Sequence, residues 1–158
     1  MTDRRRVHPD EWATLRDVRL AALRDAPYAF NSTVEEASAF DEGWWRDRAA
    51  TQACVVAFDG AAPIGLAMGG HLREPDPEVR TLRSMWVAPD HRGAGVADGL
   101  VDDVVAWARA EGASRLVLWA LLPAARAQAF YERYGFTRGA VEAPTEHHPA
   151  MVRYELAL

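Results

Sequence analysis

The sequence predicts a single mixed α/β domain, with antiparallel strands in its first half and a strand–helix–strand–helix unit in its second. Three observations carry this reading. Two apolar runs, residues 53–58 and 63–72, flank the pair Asp59-Gly60, the mark of an antiparallel hairpin. A strand ending at Val87 passes through Pro89 and two glycines into an amphipathic helix. A second apolar strand, residues 115–121, leads to a helix that opens at Pro123 and stops at Gly135.

The elements follow in order. A short strand is expected over residues 4–8. Pro9 then suits a helix start, and Trp12, Leu15, Val18, Leu20 and Leu23 recur at helical intervals to about Arg24. Asp25-Ala26-Pro27 breaks that pattern, and a polar connection follows through Phe30-Asn31-Ser32-Thr33 to the acidic piece Val34-Glu35-Glu36. Asp41 can cap a helix carrying Trp44, Trp45 and Arg48. After the hairpin, Asp76-Pro77 marks a turn into a third run, residues 79–87. Val96, Leu100, Val101, Val104, Trp107 and Ala108 then line one face of a helix ended by Gly112. Strands near residues 136–141 and 151–157 close the chain. With no internal repeat, low-complexity tract or linker, residues 1–158 read as one domain.

Composition bounds the function. The chain is 49% apolar and 26% charged, which is globular rather than disordered composition. Its 18 basic and 23 acidic side chains give a net charge of −5, which argues against nucleic acid as a partner and suits a site for a cationic substrate. Cys54 is the single cysteine, so neither an intrachain disulfide nor a cysteine-based zinc site can form. Its run, Ala53-Cys54-Val55-Val56-Ala57-Phe58, reads as core. The basic N-terminus has no apolar core behind it, and no apolar stretch approaches the ~20 residues of a membrane span. These features point to a cytoplasmic protein with no membrane partner.

The most informative stretch is Ser84-Met85-Trp86-Val87-Ala88-Pro89-Asp90-His91-Arg92-Gly93-Ala94-Gly95-Val96-Ala97. Glycines between a strand and a helix let backbone N–H groups approach a ligand, and the helix start favours an anion, phosphate above all. Arg92 can add a charged contact. The stretch has neither the Gly-Lys-Ser/Thr ending of a P-loop nor the three spaced glycines of a dinucleotide turn. Arg92-Gly93-Ala94-Gly95-Val96-Ala97 resembles the pyrophosphate motif of the GNAT acetyltransferases, Arg/Gln-x-x-Gly-x-Gly/Ala. Downstream, Ala127-Gln128-Ala129-Phe130-Tyr131-Glu132-Arg133-Tyr134-Gly135-Phe136 resembles that family's Ala-x-x-Phe-Tyr-Glu-Arg-x-Gly-Phe. The two occur in the family's order, and the likeness runs from about Arg4 to Phe136.

The resemblance implies an acyl-CoA N-acyltransferase fold: a mixed, mostly antiparallel sheet of about seven strands flanked by four helices. It implies acetyl-CoA as co-substrate, with its arm against Met85, Trp86 and Val87 between splayed fourth and fifth strands. The pyrophosphate is expected on the N–H groups of Arg92, Gly93, Ala94, Gly95, Val96 and Ala97. Transfer to a primary amine of a small molecule would proceed by direct attack in a ternary complex, with a backbone N–H near Val87 facing the oxyanion. Tyr131 falls where the family carries its tyrosine acid, and a phenol is a plausible proton donor to the leaving thiolate. Acetylation of a protein N-terminus or lysine, or an acyl-CoA sensor without catalysis, are the alternative readings.

Three departures from the family pattern stand out. Ala124 replaces an asparagine that often binds the cofactor arm. Asp98 puts a carboxylate in the first turn of the phosphate helix, where it repels a bound pyrophosphate. Trp119 occupies the position of a glutamate base on the fifth strand. On the acceptor side the candidate bases are Glu35, Glu36, His71 and His147, each with an ordinary surface alternative. His147-His148-Pro149 reads as a loop rather than a metal site, so no metal is expected. Trp44, Trp45 and Trp86 could line an aromatic pocket for an organic cation or pack in the core. The final strand could form a homodimer interface or lie inside one sheet.

Overall fold

The computed structural model describes residues 2–158. The chain runs β1 (Thr2–Arg6), α1 (Trp12–Asp25), α2 (Val34–Ser38), α3 (Glu42–Thr51), β2 (Ala53–Asp59), β3 (Ala62–Gly70) and β4 (Val79–Val87). It continues through α4 (Val96–Ala110), β5 (Arg115–Leu121), α5 (Ala125–Tyr134), β6 (Thr137–Glu142) and β7 (Met151–Ala157). Strand signals and hairpin turn place these elements within a few residues of their expected positions. Pro9 opens a 3₁₀ turn, Pro9–Glu11, ahead of α1 rather than α1 itself.

The expected four helices become five because α2 forms at the acidic piece that follows the polar connection. Its cause is a reciprocal cap. The Thr33 hydroxyl accepts from the Glu36 N–H at 3.1 Å, and the Glu36 carboxylate accepts from the Thr33 N–H at 3.0 Å. Asp41 caps α3 as expected, accepting from the Trp44 N–H at 2.9 Å.

The seven strands form one sheet in the order β1-β2-β3-β4-β5-β7-β6. All neighbours are antiparallel except β4 and β5. The final strand β7 lies inside the sheet between β5 and β6, so its edges are not free for a dimer partner.

Each face of the sheet has its own core. On one face Val96, Leu100, Val101 and Val104 of α4 and Tyr131 of α5 pack with Leu82, Leu116 and Leu118. Gly69 permits the close approach of α4, since a Cβ there would stand 2.6 Å from the Trp107 ring. On the other face Leu15, Val18 and Ala22 of α1 and Trp45 of α3 pack with Val56, Leu66, Met68 and Trp86. Cys54 belongs to this second core, where burial pushes its thiol up to about 12. Leu15, Leu66, Leu100 and Leu116 are each fully buried, and each such side chain contributes about 1.5–3 kcal/mol of apolar transfer.

Two irregularities open the sheet at its centre. The parallel pairing of β4 with β5 covers only Val79, Arg80 and Thr81 against Arg115, Leu116 and Val117. Beyond Thr81 the outer half of β4 has no strand on its β5 side, while β5 stays paired with β7 as far as Leu121 opposite Met151. The pairing of β4 with β3 also slips, from Leu66 opposite Trp86 to Met68 opposite Arg83. One extra residue therefore bulges from β4, and Ser84 takes the left-handed conformation at φ 58°. Such a conformation is costly for a residue with a side chain and tends to persist where function requires it.

Candidate active site

A cavity of about 630 Å³ occupies the split. It is walled by Leu82, Arg83, Ser84 and Met85 of β4 and by Leu118, Trp119, Ala120 and Leu121 of β5. Ala124, Ala127 and Tyr131 close it from the α5 face, while Arg19, Phe30, Ser32, Trp44 and Arg48 reach it from the α1 and α3 face. The cavity thus passes through the sheet, with one helical layer at each end.

The turn between β4 and α4 continues the strand whose residues 82–85 wall the cavity, although none of the turn's own residues lines it. A 3₁₀ turn over Pro89–His91 leads to Gly93 at φ 80° and Gly95 at φ 81°, and α4 starts at Val96. These angles, not crowding, demand glycine: a Cβ at either position would meet nothing within 4 Å. The Arg92 N–H donates to the Pro89 carbonyl, and the first helical bond runs from Gly99 to Gly95. The N–H groups of residues 93–98 donate to no protein group among the described residues. They stand at the positive end of a 15-residue helix, a setting that favours an anion. The free set therefore starts one residue later than the sequence suggests, at Gly93, and extends to Asp98.

Arg92 differs from its expected role as a direct charged contact. Its guanidinium turns onto α1, donating to the Val87 carbonyl at 2.9 Å and to Asp25 at 2.7 Å. The same Asp25 oxygen accepts from the Trp86 indole at 2.9 Å. The Trp86 N–H, and then Arg92, hold the Asp25 carboxyl below its usual range. This three-way tie fixes where β4 ends and where the glycine turn begins. Asp98 stands 3.5 Å from Arg133, an exposed pair that offsets part of its charge toward an anion in the turn.

Tyr131 lines the cavity from α5 with its ring among Phe130, Phe136 and Tyr154, and only 8% of its surface is exposed. Burial alone pushes its phenol pKa up, so the group keeps its proton at neutral pH. Met85 also lines the cavity, whereas the side chains of Trp86 and Val87 enter the two cores. Trp119 faces the cavity and donates its indole N–H to Glu142 at 2.9 Å. Ala124 lies at the start of α5 and makes no side-chain cap.

The acceptor-side candidates fare differently. None of Glu35, Glu36, His71 and His147 lines the cavity, and neither does any other Asp, Glu or His. Glu35 is exposed, and Glu36 is used in capping α2. His71 stands against Trp107 at the end of β3, and His147 lies on an exposed loop beside Glu146. Trp44 and Trp45 do reach the cavity, but one face of Trp44 stacks on Phe40 at 3.8 Å and the Arg48 guanidinium lies over its ring at 4.4 Å. The tryptophans thus form no open cage for an organic cation, and Trp86 is core. Among the described residues no three metal-ligating side chains come together, and no helix is long and apolar enough to cross a membrane.

Sequence reasoning left Arg19, Arg48 and Arg83 without a role, yet all three line the cavity. Only the Trp44/Arg48 spacing, four residues on one helix, carried a local sign that the pair would meet. Arg19 reaches Ser84 and Ser32 through pairings distant in sequence.

Comparison with known proteins follows the same lines. The model of the Acetyltransferase (GNAT) family matches residues 15–136. No curated protein matches the sequence. Among solved structures, the yncA protein of Salmonella typhimurium, solved with its cofactor acetyl-CoA, superposes with a TM-score of 0.76 at 19% identity, covering 100% of this chain and 94% of that one. The IAA acetyltransferase of Bacillus cereus gives 0.74 at 18%, covering all of both chains. Ard1 of Thermoplasma volcanium gives 0.76 at 13%, covering 99% and 97%. At such identities these likenesses establish the fold: the split seven-stranded sheet is that of the GNAT acetyltransferases. Since the family model spans most of the chain, including both the glycine turn and Tyr131, the protein belongs to the GNAT acetyltransferase family.

Proposed function

We propose that the protein transfers the acetyl group of acetyl-CoA to a primary amine of a small molecule, with both substrates bound at once. The observation that carries this reading is the split between β4 and β5, with a walled cavity in it and, where β4 runs on into α4, six backbone N–H groups that meet no acceptor among the described residues. Those N–H groups fit a pyrophosphate, the free outer half of β4 fits an amide-bearing arm, and the split fits a thioester. The N–H groups of residues 93–98 hold the diphosphate in this account, and Arg92 positions their turn through Asp25 and Val87.

Bound acetyl-CoA supplies an activated acyl carbon and a thiolate leaving group. The chamber residues orient the amine toward that carbon, so that a C–N bond forms as the C–S bond breaks. A backbone N–H of β4 near Val87 stabilises the developing oxyanion. Tyr131, kept protonated by its burial, gives the thiolate its proton and regains one from the nitrogen. Side chains of α1, the α1–α2 connection and α3 wall the chamber, and its volume is of the order that holds a small molecule.

Calorimetric titration with acetyl-CoA tests this reading, with Gly93→Asp/Gly95→Asp as control. Micromolar binding by the wild type that is lost in the control, together with thiol release on adding amines, supports it. A wild type that does not bind acetyl-CoA overturns it.

A further inference from the structure

Arg19 of α1, Arg48 of α3 and Arg83 of β4 bring three positive charges to the acceptor end of the cavity, which no carboxylate or imidazole lines. Among the described residues none of the three has a carboxylate within ion-pair distance, whereas Arg4, Arg5, Arg46 and Arg92 each have one. This concentration arises in a protein of net charge −5, so it is not the by-product of a basic surface.

Two of the guanidinium groups are held by their flat faces rather than by counter-ions. Arg19 lies over the Phe30 ring at 4.6 Å and Arg48 over the Trp44 ring at 4.4 Å. Arg19 donates only to the hydroxyls of Ser84 at 3.0 Å and Ser32 at 3.3 Å. Arg83 donates to the His71 carbonyl at 3.0 Å. The Arg48 guanidinium donates no hydrogen bond to any described residue, which leaves all five of its N–H groups available. Burial, and then the charge of Arg48, push Arg19 down to about 10, and the same two causes lower Arg83. Three like charges, two of them stacked on rings and Arg48 with its edge free, are arranged for an anion that arrives with the substrate.

We propose that the acceptor is an amino-carboxylate, an amine whose own carboxylate binds to Arg48 with Arg19 and Arg83 beside it. This rests on the acetyl-transfer reading above and assigns its acceptor class. The cluster also answers the missing base. Nearby positive charge disfavours an ammonium ion, so the acceptor nitrogen releases its proton to water and attacks as the free amine. The new C–N bond forms as the C–S bond breaks, and the second nitrogen proton replaces the one Tyr131 gives to the thiolate.

The test uses matched pairs that differ only in the carboxylate: L-phenylalanine with phenethylamine, and L-leucine with isoamylamine. Thiol release from acetyl-CoA is expected to show kcat/KM at least about tenfold higher for the amino acid of each pair. Arg48→Gln should raise the KM for the amino acid about tenfold without changing the acetyl-CoA Kd, and Arg48→Lys should recover part of the loss. Equal or better turnover of the decarboxylated amines overturns the proposal, as does an Arg48→Gln variant that weakens both members alike. If no panel amine is turned over, calorimetry decides with N-acetyl-L-phenylalanine against N-acetylphenethylamine. Arg48-dependent preference for the carboxylate supports the proposal, and the lack of one overturns it. Failure to bind acetyl-CoA strikes instead at the acetyl-transfer reading.

Discussion

The β4–α4 turn and the cavity present their hydrogen-bond donors by different means. At the β4–α4 turn the donors are backbone N–H groups within one stretch of six residues, 93–98, exposed by two left-handed glycines. In the cavity the donors are side chains of α1, α3 and β4, which meet only when the second core packs. The first device is local, tolerant of side-chain identity and suited to a group every member of the family can share. The second is assembled, sensitive to each side chain, and free to vary with the acceptor. A site built from local backbone on one side and from assembled side chains on the other is the division this contrast teaches.

The largest effect should come from breaking the backbone end. Gly93→Asp/Gly95→Asp forces side chains into φ near 80° and places carboxylates in a turn that favours an anion. Acetyl-CoA affinity is expected to fall by about a hundredfold or more, equivalent to ~2.7 kcal/mol, while the far-ultraviolet spectrum stays that of the wild type. Retained affinity in a folded variant would show that the turn is only a turn.

Next in size is Tyr131→Phe, on the α5 wall of the cavity. Turnover should drop by about a hundredfold, the lower end of what general acid catalysis contributes, with acetyl-CoA Kd within about threefold of wild type. Wild-type turnover at saturating substrate would remove Tyr131 from the chemistry and leave it as core. The Arg48→Gln substitution then sharpens the contrast from the side-chain end, since its expected tenfold effect falls on the acceptor KM alone.

The smallest effect tests the tie between α1 and the glycine turn. Asp25 has its pKa lowered in the folded state by Trp86 and Arg92, so its contribution to stability is full above its unfolded pKa, about 3.9. That contribution is lost as pH falls through the lower folded value. Thermal unfolding at pH 6 and at pH 3 should therefore show the wild type losing slightly more stability than Asp25→Asn. The difference is expected to be at most about 0.5 kcal/mol, because the ion pair is partly exposed and screened. A variant with the same pH response as the wild type would show that the tie carries no charge dependence.

Much of the fold was legible because its signals are local. Asp59-Gly60 marked the hairpin, Asp41 its helix cap, and the apolar spacing of Val96, Leu100 and Val104 the buried face of α4. The helix α2 escaped notice although Thr33 and Glu36 have capping-box spacing, because the run behind them is only five residues long. In the site, the glycine turn and Tyr131 were visible as motifs. Glu35, Glu36, His71 and His147 lie on segments that could border the gap, but packing places all four outside the cavity lining.

By itself, then, the sequence determined the order of elements, the left-handed glycines of the β4–α4 turn and the place of a phenol one helix later. Each depends on residues close in the chain, where spacing and backbone preference act directly. Tertiary structure alone decided that β4 and β5 part beyond Thr81 and that Arg92 faces Asp25 rather than the turn. It also decided that Arg19, Arg48 and Arg83 share one chamber. Those outcomes depend on contacts between residues dozens of positions apart, set by how two helical layers pack on a twisted sheet. No local spacing encodes them.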